Sequence, residues 1–181
     1  MTNQIVLPGV DKQRIIEQVQ ATGLDGILLS SAENVYYASG LPTLPGSDNP
    51  ILFALKNQLP AFVYLDANGQ TTLFCWIGAA MNFTFPVDDV RNFFNQESAL
   101  DELADFLRAT LKPGTRLGLE SSCPFVVARK VQEFLTNEAI TLIDEQLLSL
   151  RLCKTTGSLP AIQLYKASEA SREYERKRTE S

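Results

Sequence analysis

Short apolar runs alternate with amphipathic segments along most of the chain. Continuous apolar runs of about five residues are typical of strands buried on both faces, and apolar residues three and four apart indicate helices with one buried face. These patterns predict strands at 26–30, 51–55, 61–65, 71–76, 90–94, 116–120 and 140–143. They predict helices at 12–22, 31–40, 99–111, 124–136 and 145–152.

Polar residues, glycines and prolines mark where these elements end. Three residues suit helix N-caps and two glycines suit helix ends: Asp11, Ser31, Ser98, Gly23 and Gly40. Segment 66–69 predicts a hairpin turn, because Asn-Gly readily supplies positive φ. Segment 41–50 holds three prolines and is predicted to be a loop.

The order of the elements predicts the fold class. Helices and strands alternate at both ends of the sequence, which favours parallel pairing, whereas the hairpin in the middle favours antiparallel pairing. We therefore expect a three-layer α/β fold, with a central mixed β-sheet of five to six strands and helices on both faces. Residues 1–154 form this domain, and the charged segment 155–181 is predicted to be a helical or frayed tail that begins a linker.

Charge and composition narrow the class of partner and the compartment. The 16 basic against 21 acidic residues give a net charge of −5, which argues against nucleic acid as a partner. The longest uncharged stretch, 69–87, is interrupted by polar residues, Gly78 and Pro86, so no membrane span is expected. No signal peptide is evident, and the widely spaced cysteines predict reduced thiols, so a cytoplasmic location is expected.

The chain contains no histidine. This excludes Ser-His-Asp and Cys-His catalysis and every histidine-ligated metal centre in this chain, and no catalytic residue is predicted. Carboxylates remain, and Asp88 and Asp89 could bind a divalent cation together with Glu120. Adjacent residues of a strand point to opposite faces, however, so an ordinary turn is the favoured interpretation and a small metal-dependent α/β enzyme the less favoured one.

Two aromatic segments are candidates for contacts. For the adjacent Tyr36 and Tyr37, we expect one ring in the core and the other facing the loop. Trp76, with Phe83 and Phe85, is either core or a contact patch for another domain or subunit.

Four stretches in one order resemble the N-terminal domain of the creatinase, prolidase and aminopeptidase P family, the pita-bread metallopeptidases. They are LDGILL at 24–29, ENVYYASG at 33–40, RLGLE at 116–120 and LRLCK at 150–154. The resemblance spans roughly residues 11–165 and implies the mixed sheet with flanking helices described above.

The resemblance also implies where the chemistry lies. In this family, a dinuclear divalent metal (Mn, Co or Zn) is bound by a C-terminal catalytic domain, so no cofactor and no metal ligand is expected in this chain. The N-terminal domain contributes to the homodimer and lends loop residues to the rim of a neighbouring active site. Tyr37 and Trp76 are the rim or interface candidates that this implies.

Two functions remain open on these grounds. The first is a non-catalytic N-terminal module of an Xaa-Pro dipeptidase or aminopeptidase P-like metallohydrolase, serving dimerisation and active-site gating. The alternative is a stand-alone protein- or peptide-binding module of the same fold without peptidase activity.

Overall fold

The computed structural model describes residues 5–6, 12–41, 61–80 and 83–152. The strand predicted at 51–55, nearly all of the loop predicted at 41–50, the cap Asp11 and the tail at 155–181 lie outside the described residues.

Within these residues, helices and strands alternate as the sequence predicts. The strands are β1 (Ile5–Val6), β2 (Gly26–Leu29), β3 (Phe62–Asp66), β4 (Thr71–Trp76), β5 (Phe83–Thr84), β6 (Asp89–Phe93), β7 (Leu117–Leu119) and β8 (Ile140–Leu142). The α-helices are α1 (Lys12–Ala21), α2 (Ala32–Ser39), α3 (Ile77–Ala80), α4 (Gln96–Thr110), α5 (Phe125–Gln132) and α6 (Asp144–Leu152), and a 3₁₀-helix spans Asn137–Ala139.

Six strands form one mixed sheet in the order β6-β4-β3-β2-β7-β8. The pairs β2–β3 and β3–β4 are antiparallel, whereas β4–β6, β2–β7 and β7–β8 are parallel. This confirms the predicted mixed sheet of six strands. The separate parallel pair β1–β5 was not predicted, because strands of two residues carry no recognisable periodicity.

Helices cover both faces of this sheet, which confirms the three-layer α/β class. Strand alternation sends Ile27 and Leu29 to one core and Leu28 to the other. The first core also takes buried residues of α1, α2 and α6, among them Ile15, Val19, Val35, Ala38 and Leu147. The second takes buried residues of α4 and α5, among them Leu103, Phe106, Leu107, Val127 and Val131.

Two helix boundaries differ from the prediction. The N-cap of α4 is Asn95, not Ser98; Ser98 is the third helical residue, and the two side chains form a reciprocal capping box. Both residue types suit a cap, so the spacing alone favoured the wrong one. Helix α5 ends at Gln132 instead of 136, because a turn and the 3₁₀-helix lead directly into β8.

Gly118 in the middle of β7 permits close approach within the first core. A Cβ atom there would lie 2.8 Å from Ile143 Cγ2 and 2.9 Å from Ile27 Cγ2. The RLGLE stretch therefore requires glycine at its centre, because no side chain fits between these neighbours.

Candidate functional site

Five of the six strands end at the same edge of the sheet. Strands β2, β4, β6, β7 and β8 all run in one direction, and only β3 runs against them. We call this side the carboxyl edge; it is defined by the residues that follow those strands, Ser30, Ile77, Phe94, Glu120 and Ile143. Ligand and contact sites of α/β sheets are commonly built at such an edge.

A buried carboxylate joins two strands at the carboxyl edge. Glu120 follows β7 directly and is only 2% exposed. Its oxygens accept hydrogen bonds from the backbone N–H of Ser30 and of Ser31 (2.7 Å), from the Ser31 hydroxyl (2.6 Å) and from the Asn34 side-chain amide. The Ser30 hydroxyl lies 3.2 Å away. These donors replace the water that a buried carboxylate loses.

Helix α2 starts at this cluster and ends in the predicted glycine. Ser31 is its N-cap, with its hydroxyl oxygen accepting from Asn34 N at 3.3 Å. Gly40 closes it with φ 71°, and its N–H donates to Tyr36 O at 2.8 Å. The charge of Glu120 also suits the positive end of a helix.

The amide of Asn34 is only partly satisfied. A carboxylate only accepts hydrogen bonds, so the Nδ2 group must be the atom that faces Glu120. Oδ1 of the same side chain is buried and has no hydrogen-bond partner in the described part of the chain.

The two tyrosines of α2 differ in exposure, and the loop that one ring was expected to face lies almost wholly outside the described residues. Tyr37 is partly buried and packs against the first core, and Tyr36 is 41% exposed. The rim candidate Tyr37 is therefore the more buried of the pair, and its rim role stays a prediction.

Trp76 ends β4 at the carboxyl edge and is 37% exposed. Its ring lies over Gly78 of α3, where an added Cβ would come within 2.3 Å of a ring carbon. Strand alternation places Trp76 on the face of Phe74, opposite the face that α2 covers, so the two rim candidates are not brought together. Phe85 is buried in the first core, which divides the predicted aromatic segment between surface and core.

Further large apolar side chains are exposed at or beside the carboxyl edge. With the two just described, they form what we call the exposed apolar edge: Tyr36, Trp76, Phe94, Phe125, Val126 and Leu142. Sequence reasoning missed the last four. The available signals were the Phe93–Phe94 pair, of which only one ring can enter the core, and the helix start after Pro124, where Val127 and Val131 face inward.

The carboxylates considered as metal ligands are far apart. Asp88 accepts from Thr71 N at 2.8 Å and Asp89 pairs with Arg91 at 3.2 Å, both at the start of β6, whereas Glu120 lies at the opposite edge of the sheet. No group of three potential ligands comes together within the described ranges. The donor atoms of these residues thus do not fit the dinuclear centre that the family resemblance implies.

The two described cysteines are poor nucleophiles. Burial raises the pKa of the Cys75 thiol to about 12. Burial also raises the pKa of Cys123 to about 11; a hydrogen bond with Ser30 opposes this shift, and the charge of Glu120 adds to it. Both are free thiols, and the thiolate needed for attack is scarce near neutral pH.

No helix among the described residues has the length and hydrophobicity needed to cross a bilayer.

Comparison with known proteins agrees with this architecture. A family model described as Creatinase/Prolidase N-terminal domain matches residues 12–153. The chain therefore belongs to the creatinase/prolidase N-terminal domain family. No curated protein sequence gives a match.

Solved structures share the fold at low sequence identity. A proline dipeptidase from Streptococcus pneumoniae TIGR4 aligns at 14% identity and a TM-score of 0.57, over 80% of this chain and 99% of that chain. The creatinase/prolidase N-terminal domain of an X-Pro dipeptidase from Streptococcus pyogenes aligns at 12% identity and a TM-score of 0.53, over 76% and 96%.

A dipeptidase from Pyrococcus horikoshii OT3 aligns at 16% identity and a TM-score of 0.59, over 82% of this chain but only 38% of that chain. This chain thus spans a little over a third of that longer relative.

Proposed function

We propose that this chain is the N-terminal module of an Xaa-Pro dipeptidase or aminopeptidase P-like metallohydrolase, with a role in dimerisation and active-site gating and no catalysis of its own. Family membership supports the first part, and the names of the solved relatives suggest the substrate class. The observation that carries the contact role is the exposed apolar edge.

The exposure of these aromatic side chains supports a contact role. Three aromatic side chains besides Tyr36 belong to the exposed apolar edge, and Phe94 and Phe125 are 69% and 75% exposed. An aromatic side chain buries about 150–250 Å² when covered, so each of these two offers a substantial apolar contact. Exposed aromatic side chains of this kind are typical anchors of protein interfaces.

Tyr37 and Trp76 are the proposed rim residues. Each combines an apolar ring with a polar group, which suits a surface that meets both a partner and a substrate. The dinuclear metal (Mn, Co or Zn) belongs, in this proposal, to a C-terminal catalytic domain, where it would activate the attacking water. A cytoplasmic location is part of the same proposal.

Sedimentation equilibrium of the 181-residue chain over a wide concentration range tests the contact role. We expect a mass that rises from 20.0 kDa towards twice that value. Phe94→Ser and Phe125→Ser should weaken association, whereas Glu133→Ser, at an exposed position just after the last residue of α5, should not. A chain that stays monomeric at millimolar concentration would contradict dimerisation and favour the stand-alone binding module.

An activity assay tests the non-catalytic part of the proposal. The chain, incubated with Mn²⁺ or Co²⁺ and Xaa-Pro dipeptides, should release no proline above the buffer control. Robust turnover by a pure sample that is lost in Glu120→Gln would contradict the proposal. It would favour the alternative of a small metal-dependent α/β enzyme that uses carboxylates.

A further inference from the structure

The ENVYYASG and RLGLE stretches meet in one hydrogen-bonded joint. RLGLE ends in Glu120, and ENVYYASG supplies Asn34 and the rest of α2. Ser30 and Ser31 complete the joint from the end of β2. The partners are 86 to 90 residues apart in sequence, so the joint exists only because β2 and β7 are parallel neighbours.

The joint fixes the start of α2 from several directions. Two backbone N–H groups, two hydroxyls and a side-chain amide converge on one carboxylate, and they hold three residues of the turn: Ser30, Ser31 and Asn34. Hydrogen bonds are directional, so these contacts fix the orientation of the turn, with only Oδ1 of Asn34 lacking a partner in the described part of the chain. Val35, Tyr37 and Ala38 of α2 also pack against the first core.

The positions of the two tyrosine rings depend on the orientation of the first turn of α2. Tyr36 and Tyr37 follow Asn34 within one helical turn, so a rotation of the first turn moves both rings. The packing of Val35 and Ala38, each 1% exposed, resists such a rotation, and the directional hydrogen bonds to Glu120 additionally fix the first turn.

We infer that Glu120 is a positioning residue: through Ser30, Ser31 and Asn34 it fixes the first turn of α2 and thereby places Tyr36 and Tyr37 beside the carboxyl edge. The inference depends on the proposed function only for the identity of the partner or substrate that Tyr36 and Tyr37 contact.

The chemistry of the joint requires an acceptor oxygen at position 120. Methionine at position 120 keeps the length of the side chain and removes both acceptor oxygens. Glutamine keeps Oε1 for the two backbone N–H groups, and its N–H₂ group can donate to the Ser31 hydroxyl and to Oδ1 of a flipped Asn34 amide. Glu120→Met should therefore loosen the joint, and Glu120→Gln should loosen it much less.

The test compares the wild-type chain with Glu120→Met, Glu120→Gln and Glu133→Gln. Glu133 pairs with Lys130 at the exposed end of α5 and serves as the matched control. Amide hydrogen exchange at Ser30, Ser31 and α2 reports the joint, and nitration mapped by mass spectrometry reports the accessibility of Tyr37. Sedimentation measures association separately.

In Glu120→Met we expect exchange to accelerate about tenfold or more at Ser30, Ser31 and α2, with β3 and β4 still protected. Nitration of Tyr37 should rise, and Glu120→Gln should stay much closer to wild type in both readouts. Glu133→Gln should change neither. If Glu120→Met does not fold, Asn34→Ala removes a single donor and should give a smaller change in the same two readouts.

Unchanged exchange at α2 in Glu120→Met or Asn34→Ala, or exchange in Glu120→Gln as fast as in Glu120→Met, would overturn the inference. A loosened α2 with unchanged association would support the positioning role and contradict the contact role of the tyrosines. The two failures are thus distinguishable.

Discussion

The two edges of the central sheet bind the backbone N–H groups near the strand ends in different ways. At the amino edge, where β2, β4 and β7 begin, exposed aspartates bind backbone N–H groups of neighbouring segments: Asp25 accepts from Arg116 N (2.7 Å), Asp88 from Thr71 N (2.8 Å) and Asp66 from Asn68 N (2.9 Å). At the carboxyl edge, one buried carboxylate takes this role for α2, and the surrounding surface is apolar.

The amino edge is stabilised within the domain, whereas the carboxyl edge has the features of a contact surface. At the amino edge, the side chains that reach water are aspartates, and no large apolar side chain is exposed beside them in the described part of the chain. Among the described residues, the large exposed apolar side chains lie at the carboxyl edge or in the first two turns of the helices that follow it, Leu148 of α6 included. A surface of that kind is stabilised by a partner, which is why we assign the contact role to this edge.

The largest expected effect is that of Glu120→Ala. It removes the acceptor of five hydrogen bonds from the buried Asn34 and the half-buried Ser30 and Ser31, so we expect the free energy of unfolding to fall by about 1.5–3 kcal/mol. Urea unfolding followed by circular dichroism measures this. A loss below about 1 kcal/mol, the usual size for a surface ion pair, would show that Glu120 is not a structural centre of the carboxyl edge.

A second effect concerns the amino edge at alkaline pH. Burial, followed by the charges of Asp66 and Asp25, raises the pKa of Tyr64 from 10.0 to about 12. The folded state thus keeps the neutral phenol after the unfolded state has ionised. This contribution to stability is complete below pH 10 and is lost as the pH rises through 12, with a slope of up to about 1.4 kcal/mol per pH unit for one proton.

The absorbance of tyrosinate against pH measures this directly. We expect one late titration step that is absent in Tyr64→Phe and shifted to lower pH in Asp25→Asn. If Tyr64 ionised near its ordinary pKa of 10.0, the assignment of burial and negative charge to the amino edge would be wrong.

The smallest expected effect is that of Asp88→Ala. It removes the acceptor for Thr71 N at the start of β4 and should cost about 1 kcal/mol, because water can reach the exposed side of this turn. Asp101→Ala, on the exposed face of α4, is the matched control and should be close to neutral. An Asp88→Ala loss as large as that of Glu120→Ala would remove the contrast between the two edges.

Local signals in the sequence predicted most of the described fold. The strand at 71–76 and the ends of α2 at Ser31 and Gly40 were predicted at the residues where they occur, because the apolar run, the N-cap and the glycine each act within a few residues. The cap of α4 was wrong because two cap residues lie three positions apart.

The candidate site was predicted less well, because it depends on contacts that the sequence does not specify. The sequence shows only that Glu120 is a carboxylate at the end of a strand. Its hydrogen-bond donors can be identified only when the pairing of β2 with β7 is known. Exposure of Phe94, Phe125 and Leu142 likewise depends on which strands form the sheet and where each ends, whereas their hydrophobicity alone suggested core.

The most direct test of the contact surface uses Trp76, which is the only tryptophan in the chain and part of the exposed apolar edge. Its fluorescence and the mass of the chain should be measured over the same concentration series. Our account predicts that the emission shifts to shorter wavelength, and that acrylamide quenching falls, as the mass doubles. A mass that doubles while the Trp76 emission and quenching stay constant would contradict it.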